Sequence, residues 1–429
     1  MEVVDDLLDK RSAIYSSRPR LPMLMELMKY DFIMGLFPFN SRWRQHRTML
    51  QKHFYGPVLT KYHPIEIHET RTFLLRLQES PNHFIKHIHV FVAAIMISLL
   101  YGIEVKDEGN PILKAADGAL QGFREAGLPG RFLVDLIPWL KYIPSWFPGA
   151  RFKRLAKKWR AAGRFLVEQP WQVVKQRMED GTASPCLATE IIETCSDDEQ
   201  HHRPEEVDIA KSTWAAVYLA AHEIESGIQI FFLAMSMYPE VLKKAQDEID
   251  AQVGNDRLPD FSDRALLPYV NAVIKETLRW QPITPLAAGH MLTQDDVYNG
   301  YLIPKDSIVL GNVWSILHDP DMYPDPEIFN PERFLKDGDI NPDIRDPTAA
   351  AFGFGRRTCP GRFLADECLY ILIVSIMAVY NIKSPINNAG DPPLKPEMTS
   401  GIISFPSPFK CIIEPRSSSA VSLIQDLSQ

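Results

Sequence analysis

The stretch Ala351-Phe352-Gly353-Phe354-Gly355-Arg356-Arg357-Thr358-Cys359-Pro360-Gly361 decides how the fold is read. It stands directly ahead of an apolar run, Phe363 to Tyr380, long enough for a helix. Its glycines let the backbone approach a flat ligand closely. Cys359 lies just before that helix, where free backbone N–H groups and the positive dipole end are expected to favour a thiolate. A thiolate so placed is a strong axial ligand for haem iron. The plainer reading of the loop alone is a buried structural cysteine in a glycine-rich turn.

Spacing favours the ligand. Phe352, Gly355, Arg357, Cys359 and Gly361 fill every fixed place of F-x-x-G-x-R-x-C-x-G, and the loop resembles the haem-ligand loop of the cytochrome P450 family. The resemblance runs from residue 1 to about 416 and is strongest in the last third. It implies a mainly α fold with a minor antiparallel β portion, built as one haem-enclosing domain over residues 1–416. A polar tail, 417–429, would follow. It also implies that Cys359 ligates the iron while Phe352, Arg357 and Gly361 help bind the cofactor.

Composition bounds the rest. A chain of 429 residues would by length alone suggest two or three domains. The resemblance overrides this, since a central cofactor lets one core grow large. A net charge of −8 argues against a general affinity for nucleic acid, which needs basic patches. The five cysteines, Cys186, Cys195, Cys359, Cys368 and Cys411, form no close pairs and suit a reducing compartment. The first residues are acidic, with no apolar leader, and Val90 to Ile103 is too short to span a bilayer. The expectation is therefore a protein facing the cytosol, without a transmembrane anchor. Family chains carry an anchor region and opening strands before the part matched here, so a shortened, inactive protein is one alternative.

Other stretches add site candidates. Ser41 to Arg47 opens a helix on which Trp43 and Arg47 share a face. By resemblance this pair donates to a haem propionate, and indole N–H and guanidinium are fitting donors. Taken alone, it would be a surface helix with snorkelling basic residues. Glu276 and Arg279 stand at i,i+3, and Pro331-Glu332-Arg333-Phe334 resembles the family's partner segment, implying a buried Glu276–Arg279–Arg333 cluster behind the loop. His290-Met291 stands where an arginine usually holds a propionate, which makes His290 the local candidate. Pro282 to Gly289 should line a pocket, with Ile33, Leu36, Leu219, Leu286 and Ile402 as further apolar candidates. Tyr301 to Leu310 suggests two short strands around a turn, and Thr399 to Phe405 another strand.

Pro204 to Tyr238 is expected to be one long core-crossing helix. Family chains carry an acid–alcohol pair there for proton delivery; this chain has Ala221-His222-Glu223-Ile224-Glu225-Ser226. One register puts His222-Glu223 on the pair and the other Glu223-Ile224, so His222 and Glu223 are the catalytic candidates. Ser226 could supply the hydroxyl. Thr194 to Glu206 is expected to be a surface loop, with His201-His202 solvated. Phe132 to Phe152, aromatic and proline-broken beside a basic run, suggests peripheral contact with the endoplasmic reticulum membrane or simply a packed loop.

The function implied is a haem-thiolate monooxygenase acting on a hydrophobic small molecule. A terpenoid or polyketide of fungal secondary metabolism fits best, with electrons from an NADPH-dependent reductase. The enzyme would be a monomer. Arg356 and Arg362 either dock that partner, touch the haem or stay solvated. The altered central helix leaves open a non-oxidative dehydration, isomerisation or cyclisation.

Overall fold

In a computed structural model the long apolar runs become helices, three of which pass through the interior. The structure describes residues 1–107, 109–128, 130–196, 204–385 and 394–427. The central helix, Pro204–Met237, buries Ile228 and the whole run Ile230 to Met235. Phe84–Tyr101 and Arg362–Val379 are buried for much of their length and pack against it. Such all-round hydrophobicity suits a helix enclosed on every side. Among the described residues, one stretch is long and apolar enough to cross a bilayer, Pro81–Tyr101, and most of it lies inside the core.

Shorter helices complete the frame. Asn40 caps Ser41–Phe54 by accepting from the Trp43 N–H at 3.0 Å, and that helix lies against the central one. Pro268–Trp280 carries Glu276 and Arg279, both fully buried. Glu276 accepts from Arg279 Nε at 2.7 Å, Arg279 Nη2 at 2.8 Å, the Asn330 N–H at 2.8 Å and Arg333 Nε at 3.3 Å. The implied charged cluster is therefore present.

The β portion is slight, and among the described residues it consists of two-stranded antiparallel pairs. Tyr301 to Leu310 divides between two of these. Tyr301–Ile303 pairs with Asp296–Tyr298 across an Asn299-Gly300 turn, while Ile308–Val309 pairs with His290–Met291. Both turn residues have positive φ, as a tight two-residue hairpin needs.

Three expectations change. The supposed polar tail forms a helix, Ser418–Asp426, capped by Ser417. Ala420 and Ile424, four residues apart, bury one face against His63–Glu79 and Arg362–Val379. Thr399 to Phe405 is not a strand: only Met398 and Pro406, at its flanks, form an isolated bridge, and residues 401–403 bend. Thr194 and Cys195 belong to a helix, Leu187–Ser196, rather than a loop. His201-His202 lie outside the described residues.

Candidate active site

The cysteine loop is held by its own backbone. The Cys359 N–H donates to the Phe352 carbonyl at 2.7 Å, closing the turn over Gly353 and Gly355, which both have positive φ. Gly355 is fixed by more than conformation. A Cβ there would lie 2.0 Å from the Leu8 carbonyl oxygen, so the N-terminal segment packs directly onto the loop. We expect Gly355→Ala to cost more than about 1 kcal/mol, read as a lower urea midpoint. An unchanged midpoint would show that Leu8 can move aside.

Cys359 faces an internal cavity of about 310 Å³ rather than bulk solvent. The central helix lends its wall Leu219, Ala220, Glu223 and Ile224; Ile33 and Leu36 come from the N-terminal region, Ile402 and Ile403 from the last turn. Phe352 and Gly361 also line it. So do Ile283, Thr284 and Ala288 of the expected 282–289 stretch, whereas Leu286 points outward and is half exposed.

Two effects compete at the thiol. Burial pushes the Cys359 pKa up to about 11, and the charge of Glu223 pushes the same way. The Gly361 N–H, Arg47 and Arg362 lower it. A bound metal cation would add its charge to the side that favours the thiolate.

Around the cysteine sits an excess of buried positive charge. Arg18 donates to the carbonyls of Gly35, Ala288 and Gly289 at 2.6–2.9 Å and lines the cavity. Arg357 donates to Ser16 and Phe37 carbonyls, both at 2.7 Å, and stacks on Trp43 at 4.7 Å. Arg47 donates to the Thr358 carbonyl at 2.6 Å. None of the three pairs with a carboxylate among the described residues, and burial lowers the pKa of Arg18 to about 10 and of Arg357 to about 9. The Trp43 Nε1–H and Arg357 Nη1 are buried without any acceptor. Each orphan donor costs about 1–3 kcal/mol, and a buried guanidinium calls for a counter-charge. The chain thus offers acceptorless donors beside an apolar cavity with a thiol at its edge. A flat, largely apolar group with acidic substituents and a thiophilic metal fits this donor set.

His290 does not join that set. Its Nδ1 lies 2.8 Å from the Tyr15 carbonyl, so Nδ1 carries the proton. Burial, with the charges of Arg18 and Arg357 beside it, pushes its pKa down to about 4, which favours the neutral ring. Arg18 supplies the positive charge at this edge instead. Within Arg18-Pro19-Arg20 the sequence shows only a helix stop, and the role of Arg18 emerges when the chain returns beside residue 289.

On the central helix, azimuth separates the candidates. Glu223 lines the cavity, and burial raises its pKa to about 7. His222 points to the other side, its Nδ1 3.2 Å from the Tyr218 carbonyl and its Nε2 3.6 Å from Glu225 Oε1. Consecutive helical residues differ by about 100° in direction, and here that turn carries His222 out of the cavity that Glu223 lines. Ser226 is likewise unavailable: its hydroxyl donates to the Ser404 carbonyl at 2.5 Å.

A profile of the family described as Cytochrome P450 matches residues 1–413. The chain belongs to the cytochrome P450 family. Among curated relatives, it is 47% identical to the cytochrome P450 monooxygenase COX2 of Coprinopsis cinerea, over 100% of this chain and 82% of that one. It is 41% identical to the cytochrome P450 monooxygenase claR of Ampulloclitocybe clavipes, over 99% of this chain and 79% of that one. Tryptamine 4-monooxygenase of Psilocybe cyanescens is 37% identical over 97% of this chain and 82% of its own. This P450 is accordingly an oxidoreductase of the haem-thiolate monooxygenase class. Its family binds haem through a cysteine thiolate and generally draws electrons from a reductase.

Proposed function

We propose that this P450 inserts one oxygen atom into a hydrophobic secondary metabolite, with Cys359 as the axial ligand and Glu223 as the proton-holding acid. The observation that carries the reading is that Cys359 and Glu223, from two separate elements, border one apolar cavity. Balanced overall, substrate C–H, dioxygen, NADPH and a proton give substrate C–OH, water and NADP⁺. Bound haem supplies the activation of dioxygen.

The chain's own groups do the rest. Cys359 would hold the haem iron as its thiolate, an anion that Arg47, Arg362 and the Gly361 N–H favour. Arg18, Arg357, Arg47 and the Trp43 N–H would hold the acidic edge of the cofactor. Phe352 and Gly361 would shape its thiolate face. The aliphatic walls orient an apolar substrate and exclude water. Glu223 keeps a proton available near neutrality, where a group with pKa close to the working pH transfers it best.

The substrate class rests on that apolar wall together with fungal relatives. A terpenoid or polyketide suits it, and the tryptamine enzyme shows that one relative acts on an aromatic amine. The test is spectroscopic first: the reduced protein under carbon monoxide should show the red-shifted Soret band of thiolate ligation. With a reductase and a terpenoid panel, NADPH consumption should then require oxygen. Product formed without oxygen would instead support the non-oxidative reading.

Glu223 gives a further expectation. Because its pKa is raised to about 7, the protonated fraction falls as pH rises through that value. Product per NADPH should fall, and hydrogen peroxide release rise, between about pH 6 and 8. Glu223→Gln should leak peroxide throughout and lose that pH dependence while still binding haem. Unchanged coupling would remove Glu223 from proton delivery.

Two surfaces fit the partners of such an enzyme. Trp139 and Trp146 are 79% and 78% exposed, beside Leu136, Tyr142 and Phe147 and near exposed Lys157 and Lys158. That patch suits peripheral contact with an anionic bilayer. Arg356 and Arg44 flank the Phe39 ring at 5.3 Å each, giving an acidic reductase a basic landing near the cysteine loop. Arg362 is engaged instead within the loop, donating to the Cys359 carbonyl at 3.2 Å.

A further inference from the structure

We propose that His89, Asp117 and His222 form a second metal site, for a divalent first-row transition cation such as Zn²⁺, away from the Cys359 cavity. The three come from three elements: His89 from Phe84–Tyr101, Asp117 from Pro111–Gly127 and His222 from the central helix. One ligand atom from each lies within 4.8 Å of those of the other two, His89 Nε2 and Asp117 Oδ1 being 3.1 Å apart, and the site is empty.

Hydrogen bonds fix the His222 ring in the ligating form and orient that of His89. The His222 Nδ1 faces the Tyr218 carbonyl at 3.2 Å; a carbonyl only accepts, so the proton sits on Nδ1. That leaves Nε2 with a bare lone pair, and this atom is fully buried without any partner. His89 lies between two carboxylates: its Nδ1 is 2.9 Å from Glu225 Oε1 and its Nε2 3.1 Å from Asp117 Oδ1, so in the empty site each nitrogen donates a proton, and an ion would take the place of the Nε2 proton. A carboxylate or carbonyl behind each ring is how proteins hold histidines toward a metal.

The surroundings favour a cation. His222 Nε2 stands 3.6 Å from the Glu225 carboxylate, so two lone-pair-bearing groups face each other across a gap. Asp117 and Glu225 face Arg124, whose guanidinium borders the cleft and packs on Phe405 at 4.4 Å, and the protonated His89 ring that an ion would neutralise by displacing its Nε2 proton. The residues line a cleft of about 370 Å³, and the Asp117 side chain is half exposed, giving the ion a route in and a place for water as fourth ligand. Two imidazoles and one carboxylate select zinc-like cations over Mg²⁺, which prefers oxygen. A bound ion would tie Pro111–Gly127, which lends Phe123 to the substrate cavity, to the helix that carries Glu223.

The test uses the tag-free, haem-loaded protein, stripped with chelator and titrated calorimetrically with Zn²⁺ or Mg²⁺. One equivalent of Zn²⁺ should bind at micromolar or lower Kd, with Mg²⁺ silent and the thermal midpoint raised by Zn²⁺. Asp117→Asn, at a half-exposed position that should tolerate it, and His89→Gln should each weaken Zn²⁺ at least tenfold while the thiolate Soret band persists. No binding below about 100 μM would mean that the cluster holds only protons. Binding unaffected by both variants, or equal binding of Mg²⁺, would also overturn the site.

Discussion

Cys359→Ala is expected to abolish the red-shifted Soret band of the reduced, carbon monoxide-treated protein and to remove most bound haem. Alanine offers no ligand, and among the described residues no other cysteine reaches the cavity. Cys368 is buried with its thiol 3.0 Å from Glu66 Oε1, and Cys411 is buried elsewhere. Cys411→Ala should therefore keep the band and serves as the control. Burial holds the unliganded Cys359 near pKa 11, so loading the metal at neutral pH must release about one proton per haem. Proton release missing from Cys359→Ala but present in Cys411→Ala would tie the event to this side chain. A thiolate band retained by Cys359→Ala would overturn the ligand assignment.

Glu276→Gln should be the most damaging change away from the cofactor. Glu276 has no exposed surface and receives four hydrogen bonds, three of them from the guanidinium groups of Arg279 and Arg333. Glutamine keeps the shape and removes the charge, stranding a fully buried Arg279. Breaking one side of such a pair costs about 3–5 kcal/mol, a large share of a typical folding stability of about 5–15 kcal/mol. The expected result is a sharply lower denaturant midpoint and little soluble haem-loaded protein. A shift within about 0.5 kcal/mol, the range of an ordinary surface substitution, would show that Arg279 is satisfied by the Leu317 and Ile328 carbonyls alone.

The thiolate side of the site was legible in the sequence because its parts are local. The spacing of Phe352, Gly355, Arg357, Cys359 and Gly361 describes one continuous loop, and Trp43–Arg47 and Glu276–Arg279 each lie within a turn or so of one helix. The opposite wall depends on helix azimuth. Adjacent letters, His222 and Glu223, face different cavities, and that difference follows from how the central helix packs. Arg18 and the closing helix Ser418–Asp426 were missed for a related reason. A short stretch of alternating serines and apolar residues, or one arginine ahead of a proline, shows its role only when distant segments meet. The burial that pushes the Cys359 pKa up was not legible either, because a sequence displays the helix start but not the depth at which the thiol sits.

The seat of Leu8 against Gly355 bears on how the protein is made. The Arg357 side chain also donates to the Ser16 carbonyl, so two segments far apart in sequence must meet before the cysteine loop is complete. At a synthesis rate of about 5–20 residues per second, the N-terminal segment waits roughly 20–70 seconds for its partner to emerge. Until then Leu7, Leu8 and Tyr15 lack the core that covers them. Completion of the cysteine loop therefore waits on a contact between segments far apart in sequence, and the uncovered Leu7, Leu8 and Tyr15 are a natural chaperone contact until then.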